Sequence, residues 1–209
     1  MSLDRIVIGV YPETSYTKNL RLFQALEDIF CVQFIHCSKN DIGHLKFALF
    51  FEVNEDLTLE AQHCDLRCFI CLPNEHQTTG YYRQKIEFAD NPEIDRSFRD
   101  GCFFEIDNQK PTSIPELPGD VVLAKKGGLP IWVRRACGSS FMDIVSGQPH
   151  VLASDEILRE HFSRHSITHI LPLLHFVREA AGDFNWNPDC HRACIVIDDP
   201  SLYCHSYGY

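Results

Sequence analysis

The sequence predicts a three-layer α/β domain, in which a mostly parallel sheet is flanked by helices. Three observations carry this expectation. Short runs apolar at nearly every position recur through the first third of the chain: IVIGVY (6–11), CVQFIHC (31–37), KFALFFEV (46–53) and LRCFICLP (66–73). Runs of this kind suit strands covered on both faces, as in parallel sheets. The first two are separated by a segment with helical apolar spacing, and such alternation is the signature of layered α/β folds.

The elements follow in order. The first strand ends at a turn marked by Pro12. A helix follows through TSYTKNLRLFQALEDIF, with Thr17 as its N-cap and Leu20, Phe23, Leu26 and Phe30 on one face. From Asn74 to Pro118 the chain is polar and punctuated by proline and glycine. It reads as a loop-rich excursion with one strand, CFFEI (102–106). DVVLAKKGG and PIWVRRA (130–136) read as a hairpin or two strands turning at Gly127-Gly128. Ser154 caps a helix beginning DEILREHFSRH, with acids in its first turn. A second helix runs through HILPLLHFVREAAG. Pro172 is expected in its first turn, with Gly182 closing it. DFNWNPDCHR is a linker to a final strand, ACIVI (193–197). The expected organisation is one α/β unit over residues 1–182. Residues 183–209 then form a linker and the first strand of a second unit, cut soon after it begins.

Composition narrows the function. The 209 residues carry a formal net charge of −10 and no basic run, which argues against a nucleic-acid partner. No stretch approaches the roughly 20 apolar residues of a membrane-spanning helix, so no membrane partner is expected. The opening MSLDRIVIGVYPE has an early acid and too short an apolar run for a secretory leader. The ten cysteines are scattered and many lie inside apolar runs, which fits reduced thiols and a cytoplasmic location.

The closing segment carries the chemistry. Asp198 and Asp199 sit where an apolar strand enters a turn at Pro200. IVIDDP followed by HSYGY resembles the opening motif of polysaccharide deacetylases, Thr-Phe-Asp-Asp-Gly-Pro. Position 197 is Ile where that motif has Phe, and the glycine after the acids is missing. The resemblance implies a general-base role for Asp198 and a divalent metal ligand, for zinc or a similar ion, in Asp199. The family's His-x-x-x-His lies beyond the acids and nothing here follows Tyr209, so no cofactor is expected within this chain. A metal that polarises a carbonyl and acidifies water, beside a base, is what such a hydrolysis needs. The wider segment resembles the junction of two-domain deacetylase-like proteins whose N-terminal domain has a Rossmann-like, class I glutamine-amidotransferase-like layout. That class needs a cysteine nucleophile on a sharp elbow, and no Gly-x-Cys-x-Gly occurs, so amidotransferase activity is not expected. Asp-Asp-Pro also suits a plain turn.

Other candidates are read beside their plainer alternatives. His161, His165 and His169 are spaced to share a helix face and chelate zinc, or simply to lie on an exposed face. Cys68 and Cys71 have knuckle spacing, but three residues apart on a strand they point to opposite faces, as core residues would. Cys190, His191, Cys194, Cys204 and His205 are better spaced for zinc, although Cys194 opens an apolar strand. GVYPETSYT lies where α/β folds bind ligands but lacks a dinucleotide fingerprint. Arg134, Arg135 and the Gly138 amide form either an anion site or solvated arginines beside a turn. The leading expectation is a non-catalytic accessory or binding domain serving a downstream catalytic domain, with a carbohydrate-type substrate and self-association as further partners. The alternatives are a metal-dependent hydrolase using Asp198 and Asp199, and a zinc or redox protein built on the cysteines.

Overall fold

The computed structural model describes residues 5–52, 65–73, 75–153, 156–158 and 167–182. Nine strands form one sheet: β1 (Ile6–Tyr11), β2 (Val32–His36), β3 (Phe47–Phe50), β4 (Arg67–Leu72), β5 (Glu75–Phe88), β6 (Cys102–Lys110), β7 (Val121–Lys126), β8 (Leu129–Cys137) and β9 (Ser140–Ser146). Their order across the sheet is β2-β1-β3-β4-β9-β8-β7-β5-β6. The pairings from β2 to β9 are parallel. Those from β9 to β6 are antiparallel.

This mixed sheet corrects the expectation of a mostly parallel, helix-flanked Rossmann-like or amidotransferase-like layout. Apolar runs report that a strand is covered on both faces. They do not report the direction of its neighbour. Two strands escaped the sequence reading. β5 alternates outward Arg83, Lys85 and Glu87 with inward Ile86 and Phe88, so it shows no apolar run. β9 carries an acid, Asp143, at its centre.

The helices also differ from the expectation. The single helix after β1 is two: α1 (Glu13–Lys18) and α2 (Leu20–Ile29), joined at Asn19. Thr17 is therefore inside α1 and caps nothing. A 3₁₀ helix spans Lys39–His44, opened by a capping box between Ser38 and Asp41. The long helix α3 (Ile167–Ala181) holds Pro172 in its interior. Gly182, at φ 57°, ends it in the left-handed conformation expected of that position.

The core lies on both faces of the sheet. On one, Leu22, Phe23 and Leu26 of α2 and Ile170, Leu173, Phe176 and Val177 of α3 cover Val10, Phe34, Leu49, Phe69 and Trp132. On the other, Ala48, Phe50, Cys68, Ile70, Met142 and Ile144 are joined by Ile42 of the 3₁₀ helix and by Ile114. Among the described residues, the α-helices that cover the sheet lie on one face. The β7–β8 hairpin turns at Gly127 and Gly128, at φ 58° and 84°, the pair of positive angles a two-residue hairpin requires.

Candidate functional site

Arg134 is the polar centre of the sheet. It projects from β8 beneath α3, is 6% exposed, and meets three carboxylates. Its Nε and Nη2 each donate to Asp143 of β9 at 2.8 Å, a bidentate fork. Register explains the pairing, since Arg134 and Asp143 are direct cross-strand partners. Nη1 donates to Glu93 at 2.5 Å and to Glu179 at 3.1 Å, and Nη2 reaches Glu179 at 2.9 Å. Arg67, opening β4, donates to the same Glu179 oxygen at 2.9 Å. The Phe141 ring packs against both guanidiniums, 4.0 Å from Arg67 and 4.1 Å from Arg134. Trp132 Nε1 completes the contacts to Asp143 at 3.4 Å. Burial opposes the charge on Arg134, but the hydrogen bonds and field of Asp143 and Glu179 outweigh it and raise its pKa.

Beside this network His175 lies 5.3 Å, edge on, from Trp132. Burial, with help from Arg178 and Arg134 and against Asp95, lowers its pKa to about 4. Asp95 accepts from Arg178 at 2.6 Å and is held down to about 2 by that bond and by the Ser97 amide.

A second buried pair fixes the other end of α3. Glu105 of β6 is fully buried and meets Lys126 of β7 at 2.5 Å. The same carboxylate accepts from the Thr168 amide at 3.1 Å and its hydroxyl at 2.7 Å. A carboxylate at a helix N-terminus satisfies an amide that the helix itself cannot. Both ends of α3 are thus tied to the sheet by charge.

The carboxyl edge of the parallel half is where α/β sheets bind ligands, at the point where β1 leads to neighbours on opposite sides. There the Gly147 amide donates to Leu72 O at 2.9 Å, and Gln148 Nε2 donates to Phe51 O at 3.0 Å. The chain after β9 therefore crosses the ends of β4 and β3. Ser146 Oγ is buried there with no hydrogen-bond partner among the described residues.

The sites expected from sequence fare differently. Asp198 and Asp199 lie outside the described residues, as do His161, His165 and the set Cys190, His191, Cys194, Cys204 and His205. His169 is described. It is 7% exposed rather than on an open helix face, with its ring 4.7 Å from that of His150. Cys68 and Cys71 enter the two opposite core faces. Arg134 is buried among carboxylates, and Arg135, partly exposed, forks onto Asp120 at 2.9 and 2.8 Å, so both guanidiniums are already engaged by acids. Among the described residues no group of three or more His, Cys, Asp or Glu is placed to hold a metal ion. None of the described helices is long and apolar enough to cross a membrane. Sequence reasoning missed Arg67, Glu93, Glu105, Lys126, Asp143 and Glu179. The available signal was a charge inside an apolar run, Arg67 in LRCFIC and Asp143 in FMDIV, since such residues are rarely buried unpaired.

No protein-family model matches the sequence, and a search of curated proteins gives no match. Among solved structures the chain is similar to Cytoplasmic Protein STM1381 from Salmonella typhimurium LT2. The TM-score is 0.48 at 9% identity, over 80% of this chain and 98% of that one. It is similar to Cytoplasmic Protein STM3548 from Salmonella typhimurium, with TM-score 0.46 at 8% identity, over 71% and 90%. It is also similar to the mmIFT52 N-terminal domain, with TM-score 0.41 at 10% identity, over 68% and 86%. Likenesses at this level carry no functional argument.

Proposed function

We propose that the mixed-sheet domain is an accessory or binding domain of a polysaccharide-deacetylase-like protein. It holds a carbohydrate-type substrate, or the partner domain that acts on one, and does not transform it. The observation that carries this reading is the closure of the Arg134 network. A buried guanidinium open to a ligand could bind or polarise it. Here the guanidinium is bound by Asp143, Glu93 and Glu179 and roofed by α3, so its charge holds the fold together. Burial also pushes the Cys37 thiol to about 11, with Asp41 adding to the shift, and raises those of Cys71 and Cys137. Neutral, buried thiols are poor nucleophiles and poor metal ligands, and they suit a reducing, cytoplasmic setting. The link to deacetylases rests on the resemblance of the segment holding Asp198 and Asp199.

The test is binding and turnover measured together on soluble acetylated glycans, with the chain and its Asp199→Ala variant. Binding without acetate release, unchanged in the variant, is the expected outcome. Acetate release or stoichiometric zinc binding that vanishes in the variant would replace this reading with the metal-hydrolase one. Zinc held with thiolate charge-transfer bands would point to a cysteine site instead.

A further inference from the structure

The outer face of the antiparallel half carries a cluster that the core does not use. Alternation on β5 and β6 turns Arg83, Lys85 and Glu87 outward, opposite Ile106, Phe104 and Cys102. Lys125 of β7 pairs with Glu87 and extends the row to a third strand. Phe104 is 49% exposed, with the Arg83 guanidinium 4.1 Å from its ring centre. Tyr81, two residues before Arg83, is 75% exposed. Among the described residues these are the two aromatic side chains in the group of exposed large apolar residues, and both lie on this ribbon. Glu87 is matched by Lys85 at 2.6 Å, which leaves Arg83 and Lys125, among the described residues, as the charges of the row without an acidic counterpart of their own.

A sheet face solvated on one side is ordinary. Cations interleaved with exposed aromatic rings, on a chain of net charge −10, are not what solvation alone requires. At physiological salt, fields decay over about 8 Å, so a ligand on this face meets its local cations before the distant acids. We propose that this face binds an acidic polysaccharide, one bearing uronate carboxylates. A sugar ring would lie on Phe104 through its C–H face, and carboxylates of the chain would be met by Arg83 and Lys125. Neighbouring strands lie about 4.8 Å apart, a step close to the length of one sugar unit, so successive units can meet successive strands. The inference deepens the carbohydrate-binding reading above and rests on it.

The experiment is calorimetric titration of the whole chain with polygalacturonate oligomers, with neutral N-acetylglucosamine oligomers and a single-stranded oligonucleotide run beside it. Phe104→Ala, Arg83→Ala and Lys125→Ala are compared with Leu117→Ala, an exposed substitution elsewhere on the surface, with folding checked by circular dichroism. The expected result is uronate binding that weakens with salt. Phe104→Ala should lower affinity about tenfold, which is about 1.4 kcal/mol. The Arg83 and Lys125 variants should lower both affinity and salt dependence, and Leu117→Ala should change neither. Uronate binding that survives the face variants overturns the site. Binding of the neutral oligomer alone, or tighter binding of the oligonucleotide, overturns the ligand class; the former leaves the carbohydrate reading standing. Binding of neither glycan overturns both.

Discussion

Asp143 has no exposure to solvent, and its charge is tolerable because Arg134 forks onto it. Arg134→Ala should therefore cost about 3–5 kcal/mol in urea unfolding, since it strands a buried carboxylate. Arg134→Met with Asp143→Leu should recover much of that loss, because replacing both partners by apolar groups removes the desolvation along with the attraction. His175 sets a pH dependence. Its folded pKa of about 4 lies below the ordinary 6.5, so the unfolded chain binds the proton more readily. Its contribution is fully present above pH 6.5, is lost as pH falls from there to about 4, and is worth about 3 kcal/mol across that window. Comparing stability at pH 7 and pH 4.5 in the wild type and His175→Gln should show a much smaller drop in the variant. Asp95, held down to about 2 chiefly by Arg178, loses its contribution only below the ordinary carboxyl range, so the two effects separate. Among the described cysteines Cys102 is exposed and the others are buried. Thiol labelling followed by peptide mapping should mark Cys102 in the native protein, and Cys31, Cys37, Cys68, Cys71 and Cys137 only after unfolding.

At the scale of elements, α3 is held at its start by Glu105 and near its end by Glu179. Thr168→Val removes a buried 2.7 Å bond and should cost about 1–3 kcal/mol in thermal or urea denaturation. Ser146→Ala removes a hydroxyl without a described partner and should be neutral or mildly stabilising in the same assay. These elements also mark what sequence could and could not convey. β3 and β4 were legible because residues such as Ala48, Leu49, Phe69 and Ile70 are buried on both faces, which leaves an unbroken apolar run, and β1 and β2 kept enough apolar positions to stand out although Val7 and Gln33 are exposed. The hairpin at Gly127-Gly128 was legible from its turn chemistry. β5 was hidden by its solvated face and β9 by Asp143, whose partner on β8 becomes a neighbour only once the strands pair. Arg134 was noticed in the sequence, but its role was not. Three of the groups that neutralise or stack on it come from Glu93, Phe141 and Glu179, and no local pattern joins those positions. Pro172 shows a third limit: proline chemistry favours a first turn, yet the helix begins earlier, at Ile167.

Across the whole molecule, β9 joins the two halves of the sheet. It is parallel to β4 on one side and antiparallel to β8 on the other. A chain ending after Cys137 lacks β9 and α3, and with them Asp143, Glu179 and the cover over Trp132. Such a chain should give no cooperative urea transition by circular dichroism, whereas the full chain should.

The late arrival of β9 has a consequence for the protein as it is made. While the chain emerges from the ribosome, the edge of β4 that will receive Met142 beside Cys68 stays unfilled until β9 itself has been translated. Through that interval a nascent strand presents open backbone groups and both apolar faces, the condition in which strands pair with the wrong partner. Slow closure between distant segments is the kinetic cost of a central strand recruited from late in the sequence. Chaperone demand during translation should accordingly fall in two steps, first when β9, ending at Ser146, fills the open edge and then when α3, ending at Ala181, covers the face that holds Trp132.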